Sequence, residues 1–448
     1  MLSQGEKCFC SVGIDIHQED LYFHVQNIRG DSPVEESYVG KSFYQTIPDC
    51  INWIRRFDPD VVVMESTGCY YQSLYNLLEL ACIPAVIVNP RHVRGMQGKK
   101  TDESDAKWLS EVGLMGAYTP SYIPPFYYRN LREMSRQAIR NTNAIQSIKN
   151  RISKEFNLAG YRLNLVFSDV FGKNAMIAKR EILAGTPPEK ILSKLQLKRL
   201  KASKEVILSA LSGKMTPELK YTIESNERIM NCLKEEVTNA QNILAKEVMK
   251  HDPEFYMLLM GIPGWNTIST VNFIIEVGGK DFVNSFRNPE AFASWLGVCP
   301  GNNESAGKRK SGRCRKGNSF LRRTLCEVAQ AAVRAKDTTF SNKYQSLVIR
   351  LRAKKSIFAI AHHIAKLIYH LVKNMEPYEE KNVNYQEKSC RKNARRWLKL
   401  LSTNPEIAIC ATINDTGEIF ESADGNNILP LLNYIQAQTQ RKKQQLTV

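Results

Sequence analysis

The chain has 448 residues, 43% hydrophobic and 24% charged, the composition of a soluble globular protein large enough for two or three domains. Its 62 Lys and Arg against 45 Asp and Glu give a net charge of +17, which favours a polyanionic partner, nucleic acid ahead of an anionic membrane surface. No apolar run approaches the ~20 residues of a membrane span, the N-terminus carries no signal segment, and the 11 cysteines form no CxxC pair. A reduced, cytoplasmic protein without membrane attachment or structural zinc is expected.

In chain order, residues 9–16 and 21–25 alternate apolar and polar and are parted by His17, Gln18, Glu19 and Asp20. This predicts a hairpin with Asp15 near the end of its first strand and His17 in the turn. Residues 43–57 have Ile47, Ile51 and Ile54 at helical spacing, with Pro48 in an early turn. Val61, Val62, Val63 and Met64 form a strand without alternation, expected to be buried on both faces, and it ends on Glu65. Ser66, Thr67 and Gly68 turn the chain into a helix through Tyr70, Leu74, Leu77 and Leu78, and residues 85–88 are another short buried strand.

The next helix starts in the run from Lys99 to Lys107, with Thr101 as an N-cap and Asp102 and Asp105 one turn apart on one face. Taken alone, the run favours a capped, solvated helix start. Asp15 and Glu65 change the reading, because the end of an apolar strand is a poor place for an unpaired carboxylate. Four acids brought to one edge of an α/β layer would repel one another unless a divalent cation, Mg²⁺ or Mn²⁺, held them.

Residues 119–125, rich in proline, mark an expected domain boundary. Beyond it, Leu131, Met134, Ala138, Ile145, Ile148, Ile152 and Phe156 follow three-and-four spacing, as do Leu219, Ile223, Ile229, Leu233, Val237, Leu244 and Val248. They predict an antiparallel helical hairpin or coiled coil, suited to a dimerisation arm. Residues 158–214 between them are mixed and basic, and no element is assigned there. A third unit opens with Gly261, Ile262, Pro263 and Gly264, a turn able to offer backbone N–H groups to a phosphate or simply to join two helices. Residues 301–318 are glycine-rich and basic with almost no apolar side chain, so they cannot feed a core and suit phosphate contact. Helices are expected again at 320–333 and 357–372, followed by a polar tail.

Gly13-Ile14-Asp15, Glu65 to Gly68 with Tyr70, and Thr101-Asp102 with Asp105-Ala106 resemble the catalytic domain of DEDD transposases of the insertion-sequence 110 type. Leu259 with Gly261 to Gly264, Leu296-Gly297-Val298 with Pro300, Ser305 to Lys308, and Lys316 to Asn318 with Leu321-Arg322 resemble that family's C-terminal domain. The resemblance covers roughly residues 9–375. It implies an α/β plus α protein: a RuvC-like ribonuclease H fold catalytic domain over 1–124, a long helical coiled-coil linker over 125–250, a mainly helical transposase domain over 251–378, and a polar extension over 379–448.

It further implies a site-specific recombinase acting on donor and target DNA, directed by a structured guide RNA and working as a homo-oligomer, a dimer or tetramer. By resemblance Asp15, Glu65, Asp102 and Asp105 hold the metal, and Ser305 is the nucleophile that joins transiently to DNA. Residue chemistry alone barely separates Ser305 from Ser311. Nucleic-acid contacts are expected from Gly261, Gly264, Lys308, Arg309, Lys310, Arg313, Arg315, Lys316 and Arg322. Two other readings stay open. An endonuclease or junction resolvase of the same fold would need the four acids but not Ser305, and a nucleic-acid-binding protein with a dead site would need neither.

Overall fold

The strand β1 (Cys10–Ile16) is buried along its whole length, and the rest of the N-terminal layer is built outward from it. A computed structural model describes residues 7–65, 68–89, 102–197, 200, 202–301, 303–305, 308–311, 314, 316–380, 412–413 and 419–420; for 303–311 the backbone alone is described. β1 pairs antiparallel with β2 (Asp20–Asn27), which pairs antiparallel with β3 (Val34–Lys41). On its other side β1 pairs parallel with β4 (Val61–Glu65), and β4 pairs parallel with β5 (Ala85–Val88). The result is a five-stranded mixed sheet of order β3-β2-β1-β4-β5.

Alternation along the strands separates two apolar layers. Cys10, Val12, Ile14 and Ile16 join Val62, Met64 and the odd-numbered residues Leu21, Phe23 and Val25 in one cluster with helices α1 (Ile47–Arg55) and α2 (Tyr71–Leu80). On the opposite face Val61, Val63, Val86 and Val88 pack with Leu109 and Val112 of α3 (Asp102–Met115). Both faces are covered, as the continuous apolar run of β4 requires.

β3 was not foreseen. Its charges look like loop sequence, yet each satisfies a different side of the sheet. Glu36 accepts from Trp53 Nε1 at 2.9 Å and from Arg56 at 3.0 Å, both on the α1 side. Glu35 accepts from Lys107 of α3 at 2.9 Å. A charged edge strand of this kind also discourages pairing with other chains.

Two long helices follow as expected, α4 (Phe126–Leu158) and α9 (Pro217–His251). They run antiparallel: Tyr127 at the start of α4 donates to Glu247 near the end of α9 at 2.7 Å, while Ile152 and Phe156 share a core with Ile223 and Met230. Residues 158–214, left unassigned above, form four short helices, α5 (Leu163–Val166), α6 (Lys173–Leu183), α7 (Pro188–Lys194) and α8 (Lys204–Ala210). Their apolar side chains close over the same Phe156-centred core.

Helices α10 (Pro253–Met260), α11 (Thr267–Val277) and α12 (Pro289–Trp295) come next. Phe273, Phe255, Phe282, Phe292, Phe286 and Trp295 touch ring to ring in that order, mostly edge-on or tilted, and Tyr122 joins them, 5.2 Å from Phe286 and 5.4 Å from Trp295 between ring centroids. The basic stretch at 301–318 contains a two-stranded ribbon not foreseen from its composition, β6 (Asn303–Ser305) and β7 (Lys308–Ser311). Helix α13 (Ser319–Ala332) follows, then α14 (Thr339–Asn374), which starts 18 residues before the expected 357 and is interrupted at Arg352, φ 64°.

By contact density the chain divides into two units, one of residues 1–261, 266–324 and 365–376, the other of 262–265, 325–364 and 377–448. Among the described residues no helix is long and apolar enough to cross a membrane, and the cysteines are free thiols.

Candidate active site

The site begins with a glycine. An added Cβ at Gly13 would lie 2.0 Å from the carbonyl oxygen of Ala106 and 2.4 Å from the amide of Ser110, so the backbone of α3 rests directly on β1 there. Gly113, one turn further on, gives the same clearance to the Ser11 side chain. This close approach carries the first turn of α3 over the end of β1, with Asp102 and Asp105 three residues apart on one helix face.

Asp15 lies two residues beyond Gly13 on the same strand face, turned toward α3, and is only 8% exposed. Its Oδ1 accepts from the Ile16 amide at 3.0 Å and its Oδ2 lies 3.1 Å from His17 Nε2. Burial pushes the Asp15 carboxyl up; the charge and hydrogen bond of His17 oppose this, Asp105 adds to it, and the net direction is upward. Glu65 ends β4, half-buried. The parallel register runs to Ile14 with Met64, one step short of Asp15 and Glu65, and alternation gives Glu65 the face of Val61 and Val63; Glu65 is not among the residues that converge within 4.8 Å on Asp15. Val61 and Val63, which share that face, pack against α3.

His17 links strand and helix. Its Nε2 lies 3.1 Å from Asp15 Oδ2 and 3.3 Å from Asp102 Oδ1, and one donor atom from each of Asp15, His17 and Asp102 falls within 4.8 Å of the others. The sequence favours His17 as a turn residue over one that assists the metal. It is that, since its amide donates to the Asp20 carbonyl at 3.0 Å, but it also faces the acids. The signal was present: residues 15 and 17 of an extended strand share a face. Carboxylate oxygens with one imidazole are a donor set that fits a hard or borderline divalent cation.

The remaining expected residues are placed as follows. Ser305 is the last residue of β6 and pairs with Lys308, while Ser311 at the other end of the ribbon pairs with Asn303. Lys308, Arg309 and Lys310 lie on β7; Arg313 and Arg315 fall outside the described residues. Lys316 is exposed and Arg322 is half-buried, its Nε beside Gly297. The amide of Gly261 donates to Met257 O at 3.1 Å, so helix α10 already uses it. Gly264 has φ +94°, and a Cβ there would lie 2.6 Å from the Val328 oxygen and the Ala332 amide, which makes it a close-packing glycine against α13.

Residues 12–159 match a family model for transposases of the DEDD, IS110 type, and residues 256–345 match the transposase IS116/IS110/IS902 family. Together the two matches span more than half of the chain. A probable family 20 transposase of Pseudomonas aeruginosa is 24% identical over 330 residues, covering 72% of this chain and 86% of that protein. Among solved structures, Thermus thermophilus RuvC covers 25% of this chain and 99% of its own at 14% identity and a TM-score of 0.20. The same protein in complex with a Holliday junction substrate gives 13% identity and the same score.

Proposed function

The chain belongs to the IS116/IS110/IS902 family of transposases, and on that premise we propose that it performs metal-dependent, site-specific DNA cleavage and strand exchange, directed by a structured RNA. The observation that carries the reading is the convergence of Asp15, His17 and Asp102 within 4.8 Å where α3 is seated on Gly13. Glu65 and Asp105 lie outside that 4.8 Å cluster; in the proposed reading they complete the four-acid set. The sheet order β3-β2-β1-β4-β5, with three antiparallel strands followed by two parallel ones, supports a RuvC-like ribonuclease H reading of residues 1–124. Residues 125–250 would then be the helical linker and dimerisation arm, 251–378 the domain that bears the serine, and 379–448 an extension.

Asp15, Glu65, Asp102 and Asp105 would hold Mg²⁺ or Mn²⁺. Bound there, a divalent cation supplies charge stabilisation for a phosphate in displacement. The protein's own contributions are distinct. The Ile16 amide and His17 orient the Asp15 carboxylate, and the seating of α3 on Gly13 brings the helix start that bears Asp102 to it. Ser305 ends β6 and is followed in sequence by Ala306 and Gly307, small residues that suit close approach of a phosphate. In the proposed reaction the Ser305 oxygen attacks phosphorus and the bond to the departing deoxyribose oxygen breaks. That oxygen ends with the proton the serine loses. A DNA hydroxyl then attacks the phosphoserine and restores Ser305.

The test is covalent trapping. Full-length protein, purified with its copurifying RNA and incubated with donor DNA and Mg²⁺, should yield a protein–DNA adduct. Ser305→Ala should bind both nucleic acids and give no adduct, while Ser311→Ala should still form one. An adduct on Ser305→Ala protein, mapped to Ser311, would reverse the assignment. Cleavage without any adduct from wild type would favour a resolvase-like nuclease. Sequencing of the copurified RNA, and recombination assayed with and without it, tests the guidance.

A further inference from the structure

His17 is held more firmly than a turn residue needs. Its amide is bonded to the Asp20 carbonyl at 3.0 Å, and its ring stands edge-on to Tyr22 at 5.8 Å and 87°. Tyr22 is the register partner of Asp15 across the β1–β2 pair, so the ring is braced by the residue opposite the acid it faces. In this pose Nε2 is 3.1 Å from Asp15 Oδ2 and 3.3 Å from Asp102 Oδ1.

A single Nε2 carries at most one hydrogen and cannot point it along both lines at once. At most one of the two contacts can be a well-aligned hydrogen bond, so the second carboxylate is held near the nitrogen by charge alone or by a shared cation. Three atoms able to bind a cation thus converge on one point, as a ligand set would. Adjacent ligands of a cation with bonds of ~2.1 Å stand roughly 3.0 Å apart at right angles and ~3.4 Å apart in a tetrahedron. Both nitrogen-to-oxygen distances fall in that interval.

We propose that His17 supplies a nitrogen ligand to the cation held by Asp15 and Asp102, which turns an all-oxygen site into a mixed one that prefers Mn²⁺ to Mg²⁺. The inference rests on the metal-site reading above. Its physical basis is ligand softness. Mg²⁺ takes oxygen donors in rigid octahedra and gains little from imidazole, whereas later divalent ions accept nitrogen readily.

The experiment is electron spin-echo spectroscopy of Mn²⁺ added to the full-length protein, with Mg²⁺ as competitor. Wild type should show modulation from a directly bound ¹⁴N, and protein grown with ¹⁵N-histidine should show the ¹⁵N pattern in its place. His17→Ala should lose the modulation and bind Mn²⁺ on the order of tenfold more weakly, with a smaller change for Mg²⁺. The ¹⁵N-histidine arm uses the unmodified sequence, so it stands even if His17→Ala fails to fold. Mn²⁺ bound without nitrogen coupling, or coupling that persists in His17→Ala, would overturn the proposal and leave the four-acid site intact. Wild-type protein that binds no Mn²⁺ would overturn both.

Discussion

Gly13 and Asp15, two residues apart on one strand, have opposite relations to stability. Gly13→Ala places a methyl group 2.0 Å from the Ala106 oxygen, which is backbone and cannot rotate away, so α3 must lift from the sheet. A cost of about 3 kcal/mol is expected from such overpacking, together with loss of cleavage, because Asp102 and Asp105 move with the helix. Denaturant unfolding and a strand-cleavage assay on the same preparation check both. Asp15→Asn should do the reverse. Burial, only partly offset by His17, raises the Asp15 carboxyl, so below its unfolded value the acid is neutral in both states and costs nothing. As pH rises through the higher folded value, the unfolded state has already ionised, and the buried charge lowers stability. In chelator at pH 7, Asp15→Asn should therefore melt above wild type, with the gap closing as the pH falls toward 4. No gap at pH 7 would mean that His17 fully compensates the buried charge. The positions of Asp15 and Glu65 at strand ends and of Asp102 and Asp105 one turn apart on a helix were legible in the sequence because they are patterns of residue type, and their joint role as ligands remains the proposal. His17 was not legible, because the turn rule and the strand-face rule compete at that position. Gly13 entered as a piece of a resemblance, and its reason needed the helix backbone above it.

Between elements, one buried carboxylate ties α4 to α11. Glu276 is 2% exposed; it accepts from Arg132 at 2.8 Å, from Arg136 at 2.6 Å and from Asn318 at 2.7 Å. Burial would push its carboxyl up, but the hydrogen bonds and charges of the two arginines outweigh this and hold it below the usual range. Glu276→Gln removes the buried counter-charge of Arg132 and leaves Arg136 with the more exposed Glu133 at 3.6 Å, and should cost roughly 3 kcal/mol. The wild-type contribution is complete above the ordinary glutamate range and is lost as pH falls through the depressed folded value, so the deficit of the variant should shrink in acid. Lys179 presents the opposite case. It is 1% exposed, its Nζ has no hydrogen-bond partner among the described residues and lies 3.5 Å from the Phe171 ring centroid, and burial lowers its pKa to about 8. Between pH 8 and the unfolded value near ~10.4 the unfolded state binds the extra proton, so stability rises with pH there. Lys179→Met should stabilise the α5–α8 region at pH 7, read as slower amide hydrogen exchange, with the advantage fading by pH 10. The long helices around these residues were legible because 33 and 35 residues sustain a period. The four helices of 158–214 span only 4 to 11 residues each, too few turns to establish one. β3 was hidden because strand propensity counts glutamate against a strand, although an edge strand can pass its charges to both layers.

At the scale of the molecule, a net charge of +17 sets an expectation for nucleic-acid binding but not where the contacts fall. The ribbon β6–β7 narrows it. Lys308, Arg309 and Lys310 are consecutive on β7, one strand of a two-stranded ribbon. If this ribbon grips phosphate, each lost contact should lower the log–log salt slope by ~0.7 for single-stranded and ~0.9 for duplex nucleic acid. Neutralising all three residues with glutamine should then flatten the slope by about 2–3 and weaken binding most at low salt, while the chosen target sequence stays the same. Asp102→Ala should behave in the opposite way, abolishing cleavage in Mg²⁺ with no loss of affinity or salt slope, because removing an acid from the cluster only reduces repulsion with the phosphates. The two variants thus separate binding from chemistry in one protein. A triple variant with an unchanged slope would disperse the electrostatic grip over the basic faces of the long helices. One that picks a new target would show that the ribbon reads bases, a role that the guide RNA was proposed to fill.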